Sequence, residues 1–172
     1  REFSAKERFA IRQFIENGGI FILTAGYDKS RASRSLLAEY YIEIGPKIES
    51  GYELLEPEPM GHFKSPYLNM GDYMVYVRFD AAWPVGCKAD DAQIIAYGLD
   101  TAQRNLPVIV VRKIGRGKIV VIGDTGFAMN KNLEHEGGEP FEGMRENADF
   151  WRWFLTSLRD QEQWIPPNPK AA

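Results

Sequence analysis

One cysteine, Cys87, is the only thiol in the chain, and His62 and His135 are its only imidazoles. Thiol catalysis needs a thiolate, favoured by a helix N-terminus or a neighbouring cation, and a base within hydrogen-bond reach. Cys87 stands in Pro84-Val-Gly-Cys87-Lys-Ala-Asp90, with only Lys88 beside it to favour the thiolate. In such a setting a lone cysteine serves as a small apolar residue. The two histidines lie far apart in sequence. Neither they nor Glu134, Glu136 and Asp72 follow a spacing that forces metal ligands together, so no metal site is expected.

A second group surrounds Asp124, Thr125, Asn130 and Asn132, which follow the apolar run Lys118-Ile-Val-Val-Ile-Gly-Asp124. Ligands of open α/β sheets bind beyond the carboxyl ends of strands, where donors, acceptors and helix N-termini gather. Asp28, Ser30 and Ser33 follow the apolar run Ile20-Phe-Ile-Leu23 in the same way. Asp28, Ser30, Asp124, Thr125, Asn130 and Asn132 are therefore the expected binding residues, on one rim if the two strands are parallel neighbours. Capping is the competing role, because Asp, Ser and Thr satisfy free backbone N–H groups at helix starts. Gly115-Arg-Gly-Lys118 has the types of a phosphate loop, but a true one runs from strand into helix with longer spacing. Here the glycines join two β-branched runs, which is a hairpin turn.

These side chains need elements to place them. Ser4 with Glu7 is a capping box, followed by Ala10, Ile11, Phe14 and Ile15 at helical spacing. Asn17-Gly18-Gly19 stops that helix before the strand Ile20–Leu23. A loop over Thr24–Ser33 leads to a second helix carrying Leu36, Leu37, Tyr40, Tyr41 and Ile44, ended by Gly45 and Pro46. Residues 46–72 hold Pro57, Pro59, Gly61, Pro66 and Gly71, and read as a long loop with short extended pieces, suited to folding over the rim. Tyr73–Phe79 and Ala92–Tyr97 read as strands, and Pro107–Lys113 with Lys118–Ile122 as the hairpin. Asn147 is placed to cap a last helix with Trp151, Phe154, Leu155 and Leu158 on its stripe. The unalternated apolar runs predict strands buried on both faces, hence an α/β fold.

The stretches Phe14-Ile-Glu-Asn-Gly-Gly-Ile-Phe-Ile22 and Gly115-Arg-Gly-Lys-Ile-Val-Val-Ile-Gly-Asp124, with Glu146-Asn147 before the aromatic helix, resemble the class I glutamine amidotransferase-like superfamily. The likeness is greatest to its non-catalytic branch, found in gliding-motility and intraflagellar transport proteins and in bacterial membrane-associated proteins. It covers most of residues 4–158. It implies a flavodoxin-like three-layer sandwich, a mostly parallel central sheet carrying a C-terminal β-hairpin extension, and a strand upstream of the first helix. Catalytic members place their cysteine on a Gly-x-Cys-x-Gly elbow and follow it with His-x-Glu. Ala89 occupies the second glycine position and Glu136 directly follows His135, so the catalytic set does not map.

At 172 residues, 44% hydrophobic and 13% aromatic, the chain has the substance for one packed domain, expected over 1–160, with a Pro-rich tail or linker over 161–172. A net charge of −3 gives no electrostatic reason to expect nucleic acid. No apolar run reaches the roughly 20 residues of a membrane span. One cysteine excludes an internal disulfide. The resulting expectation is a non-enzymatic ligand-binding or protein-interaction domain without a cofactor, part of a larger protein or assembly. The alternative is a hydrolase or amidotransferase-like enzyme using Cys87, or an acid/base pair of Asp124 and His135.

Overall fold

A computed structural model of the chain describes residues 1–46, 60–63, 75–79, 81–99, 104–129, 133 and 144–162. Residues 163–172 of the expected tail, and Asn130, Asn132 and His135, lie outside the described residues.

The first helix, α1 (Ala5–Glu16), starts as the sequence predicts. Ser4 Oγ accepts from the Glu7 N–H at 3.3 Å, and Glu7 Oε2 accepts from the Ser4 N–H at 2.8 Å. Gly18, at φ +106°, turns the chain into β1 (Ile20–Thr24). A 3-10 turn over Tyr27–Ala32 leads into α2 (Arg34–Ala38). The second helix is much shorter than its periodicity suggests. Tyr41 adopts φ +57°, a left-handed conformation that ends helical winding, and Ile42–Ile44 becomes strand β2. Ile42 and Ile44 are buried and Glu43 exposed, so the apolar spacing there is the strand period of two.

The remaining strands are β3 (Met60–Phe63), β4 (Val75–Arg78), β5 (Val85–Cys87), β6 (Gln93–Leu99), β7 (Asn105–Ile114) and β8 (Gly117–Ile122), followed by α3 (Met144–Leu158). The main sheet has the order β1-β8-β7-β6-β3-β4, and β2 pairs with β5 in a separate ribbon. Only β1 and β8 are parallel; every other described pairing is antiparallel. The expectation of a mostly parallel sheet is thus overturned. Strands β6, β7 and β8 are consecutive with few residues between them, and such short connections force antiparallel neighbours. The predicted hairpin exists, but it occupies the middle of the sheet rather than extending it. Its two-residue turn places Gly115 at φ +59° ahead of Arg116, a residue with negative φ, which is the II′ arrangement that matches strand twist.

Alternation along β8 divides the core. Val120 and Ile122 face α3, with Phe127, Phe150 and Phe154. Ile119 and Val121 face α1, α2 and the β2–β5 ribbon, with Ile15, Leu36, Leu37 and Val85. Both faces of the sheet are covered, as buried-strand composition requires. The stripe of α3 is rotated from the expected one: Phe150, Trp153, Phe154 and Leu158 are buried, while Leu155 is 45% exposed. Asn147 is no cap, since the helix begins at Met144 and buries Asn147 within it. Lys118 Nζ donates to the Leu158 carbonyl at 2.7 Å, a cation at the carboxyl end of α3 where the helix dipole favours it.

Candidate functional site

The parallel pairing of β1 with β8 brings the two expected segments together. Thr24 lies opposite Ile122, and the Ala25 N–H donates to the Ile122 carbonyl at 3.0 Å. The loops after both strands therefore leave the sheet side by side, at the position where α/β folds bind ligands. Trp83 enters between them. Its N–H donates to the Gly123 carbonyl at 2.7 Å, and a methyl group on Gly26 would lie 3.0 Å from its ring. Gly123 has no space for a side chain, because a Cβ there would overlap the Trp83 carbonyl. The sequence pairs Trp83 with a proline turn but gives no sign that it wedges between two loops distant from it in the chain.

Most polar groups of this rim act locally. Asp124 is fully buried, and its Oδ1 accepts from the Gly126 N–H at 2.7 Å, closing a turn rather than capping a helix. The described residues that follow, Thr125–Met129, form turns, and Thr125 is exposed. Ser30 and Ser33 are buried; Ser30 Oγ donates to the Tyr27 carbonyl at 2.7 Å and Ser33 Oγ to the Ser30 carbonyl at 3.2 Å. Asp28 lies on the 3-10 turn beside Ser30.

Cys87 closes β5, paired with Ile42, and is partly buried against the cluster around Leu37 and Val85. It does not lie on a strand-to-helix elbow. Among the described residues no three His, Cys, Asp or Glu side chains converge as metal ligands. His62 pairs with Tyr97 in β3 and so belongs to the sheet, not to a loop over the rim.

A cavity of about 420 Å³ opens between α2 and β2, lined by Ser30 of the expected binding set and by Arg34, Leu37, Tyr41 and Lys88 among others. Its charges are mixed, with Lys88 Nζ 3.7 Å from Glu43 Oε2. Behind it, Arg112 holds Asp91 at 2.8 and 3.2 Å and stands 5.9 Å over the Tyr41 ring. These cationic contacts keep the Asp91 carboxyl below its ordinary pKa, the hydrogen bond from Arg112 being the main cause.

The edge of the sheet carries the other unusual chemistry. The carbonyl of Gly19 accepts from the Lys118 N–H, and the Ala25 N–H donates to Ile122. In a parallel ladder alternate residues face the neighbour, so Phe21 and Leu23 bond to β8. The N–H and C=O groups of Ile20, Ile22 and Thr24 point outward, and no described strand pairs with them. All five β1 residues are only half-buried, although four are large and apolar. Phe14, 54% exposed, lies over the start of this strand, where a methyl group on Gly19 would strike its ring.

No protein-family model matches the sequence, and no curated protein matches it. Several solved structures are similar in fold. The N-terminal domain of mmIFT52 matches at a TM-score of 0.70 and 14% identity, over 96% of this chain and 75% of that one. A cytoplasmic protein of Salmonella typhimurium matches at 0.53 and 18% identity, over 95% of this chain and 63% of that one. A β-galactosidase from Rahnella sp. R3 matches at 0.54 and 14% identity, over 92% of this chain and 21% of that one. Among the described residues no helix is long and apolar enough to cross a membrane.

Proposed function

We propose that this chain is a protein-interaction domain of a larger polypeptide or assembly, working through the outer edge of β1. The observation that carries the reading is that edge: five residues, Ile20-Phe-Ile-Leu-Thr24, with the composition of an interior strand, lie where only one side is paired among the described residues. Folded proteins guard such edges with charges, proline or bulges, and β1 has none of these. A strand laid alongside would satisfy Ile20, Ile22 and Thr24 and cover their neighbours, which is recognition by strand addition. Residues 1–160 form the domain and 161–172 a linker to the rest. A preceding strand of the same polypeptide is one way to complete the sheet. The helices on both faces and the Gly19–Ile22 and Gly115–Asp124 motifs support a divergent, non-catalytic relative of the glutamine amidotransferase-like superfamily. The similar folds support a modular role, since one is a domain of mmIFT52 and another is about a fifth of a β-galactosidase.

Hydrogen exchange tests the edge. The amides of Phe21 and Leu23 are expected to be protected, and those of Ile20, Ile22 and Thr24 to exchange fast in the dilute chain and slow on assembly. Protection of all five in the dilute monomer would overturn the reading.

A second reading, small-molecule binding, draws on the convergence of the two loops at Trp83. In it Asp28, Ser30, Asp124, Thr125, Asn130 and Asn132 form the rim and Trp83 its wall. Asp124→Ala then removes binding as well as stability, whereas a purely structural Asp124 loses stability alone.

A further inference from the structure

We infer that the cavity between α2 and β2 binds a small carboxylate with an apolar body, Arg34 taking the anion. This site is independent of the β1 edge. Its volume of about 420 Å³ falls within the roughly 300–1,000 Å³ of small-molecule sites. Leu37, Ala38, Ile42 and Ile44 give it an apolar lining, and Arg34, Lys88 and Glu43 supply its charges. Two cations against one carboxylate make the lining positive, in a chain whose net charge is −3. A lining of that composition selects a ligand that is apolar along most of its length and anionic at one end.

Arg34 is the cation without a structural task. It is exposed, and none of the ion pairs among the described residues includes it. It also opens α2, at the helix end where the dipole disfavours a cation. Folding gains nothing from that charge, whereas a planar guanidinium matches a carboxylate through two parallel hydrogen bonds. Lys88 is tied only loosely, 3.7 Å from Glu43 with both side chains exposed, a pair that contributes little. Tyr41 lines the same cavity at φ +57° and is 65% exposed. A bulky residue in that conformation is strained and persists only where its surroundings hold it, which is common at binding sites. The Tyr41 N–H donates to the Ala38 carbonyl at 3.1 Å, and its carbonyl accepts from the Lys88 N–H at 3.0 Å. Arg112 stands 5.9 Å over its ring. The bond that fixes Tyr41 thus also fixes the backbone of Lys88 beside the cavity. A ligand packed against the ring gives this strained, water-facing side chain its use.

Amide-resolved NMR titration of the chain with sodium phenylacetate tests the site. Saturable shifts are expected at the amides of Leu37, Tyr41 and Lys88. Phenylacetamide, with the same body and no charge, and acetate, with the charge and no body, should each bind at least about tenfold more weakly. Arg34→Gln should weaken phenylacetate by about tenfold or more, the worth of one charge-assisted pair, without lowering the melting temperature. Arg116→Gln, which removes a cation from the exposed hairpin turn, should leave binding unchanged. Absence of saturable shifts overturns the inference, as does undiminished binding by Arg34→Gln or equal binding of either control compound. Shifts centred on Asp124 and Gly126 instead would move the ligand to the rim and overturn the cavity as its site. Strand capture at β1 is read at Ile20, Ile22 and Thr24, so either reading can fail while the other stands.

Discussion

Arg112 donates through Nη1 to the carbonyl of Tyr40 at 2.5 Å, a bond between residues 72 positions apart. The carbonyl belongs to the residue just before left-handed Tyr41, where helical bonding ends and backbone acceptors lose their usual partners. A side chain from the central strand β7, only 11% exposed, thus finishes the end of α2. Arg112→Ala is expected to destabilise by roughly 1–3 kcal/mol, the cost of a buried acceptor left without its donor. Asp91→Asn should cost much less, because Asp91 is half-exposed and water replaces its share. Chemical denaturation of the two variants measures the difference.

Acid stability should depend on Glu39. Its carboxyl is held below its ordinary pKa by hydrogen bonds from Arg8 first and then Arg12. A lowered folded pKa stabilises the protein above the unfolded carboxylate pKa, and that stabilisation is lost as pH falls through the folded value. Glu39→Gln should lower melting temperature near neutrality and flatten the fall on the acid side of the carboxylate range. Parallel melting curves for wild type and variant from neutral to acid pH would contradict this.

Gly117→Ala should be among the most damaging single changes in the chain. Its Cβ would overlap the carbonyl oxygens of Ile15 and Gly19. The cost should exceed about 3 kcal/mol, since backbone rather than a flexible side chain must move. Gly115→Ala at φ +59° should cost about 1–2 kcal/mol, the penalty for a side chain in the left-handed region. Equilibrium unfolding ranks the two, and equal losses would contradict the packing argument.

Cys87→Ser is expected to fold and to leave assembly unchanged. Cys87 lies at the end of a ribbon strand without an elbow. Glutamine hydrolysis by the wild type that disappears in the variant would instead revive Cys87 as a nucleophile.

The sequence made some of these elements legible and hid others for identifiable reasons. Capping chemistry is local, so Ser4 and Glu7 announced α1, and Gly115 announced the hairpin. The buried runs of β7 and β8 were legible because no alternation interrupts them. The adjacency of the β1 and β8 ends followed from supposing the two strands parallel, which holds although the sheet as a whole is antiparallel. Tyr41 was opaque: a bulky residue at positive φ leaves no mark in a propensity pattern, and Leu36 to Ile44 therefore reads as one helix. On α3, apolar residues at 150, 151, 153, 154, 155 and 158 permit two stripes, and Phe127 packs against both Phe150 and Trp151, so only the burial of Trp153 and exposure of Leu155 separate them. The wedge of Trp83 depends on three segments meeting, and no local pattern encodes that. Of the rim, the placement was readable and the internal use of Asp124 was not.

The parallel register of β1 and β8 also sets the order in which the chain must fold. Ile22 and Val120 are neighbours, yet about a hundred positions of chain separate them, whereas β6, β7 and β8 are separated by only a few positions each. Closing the long loop costs entropy before any contact rewards it, so this three-stranded unit is the early structure and β1 docks late. Substitutions in β1 should therefore speed unfolding and leave the folding rate nearly unchanged, while those in the β7–β8 hairpin slow folding. Until that late step the edge of β8 that β1 will cover stands open, and this interval is when the chain is most exposed to pairing with the wrong strand.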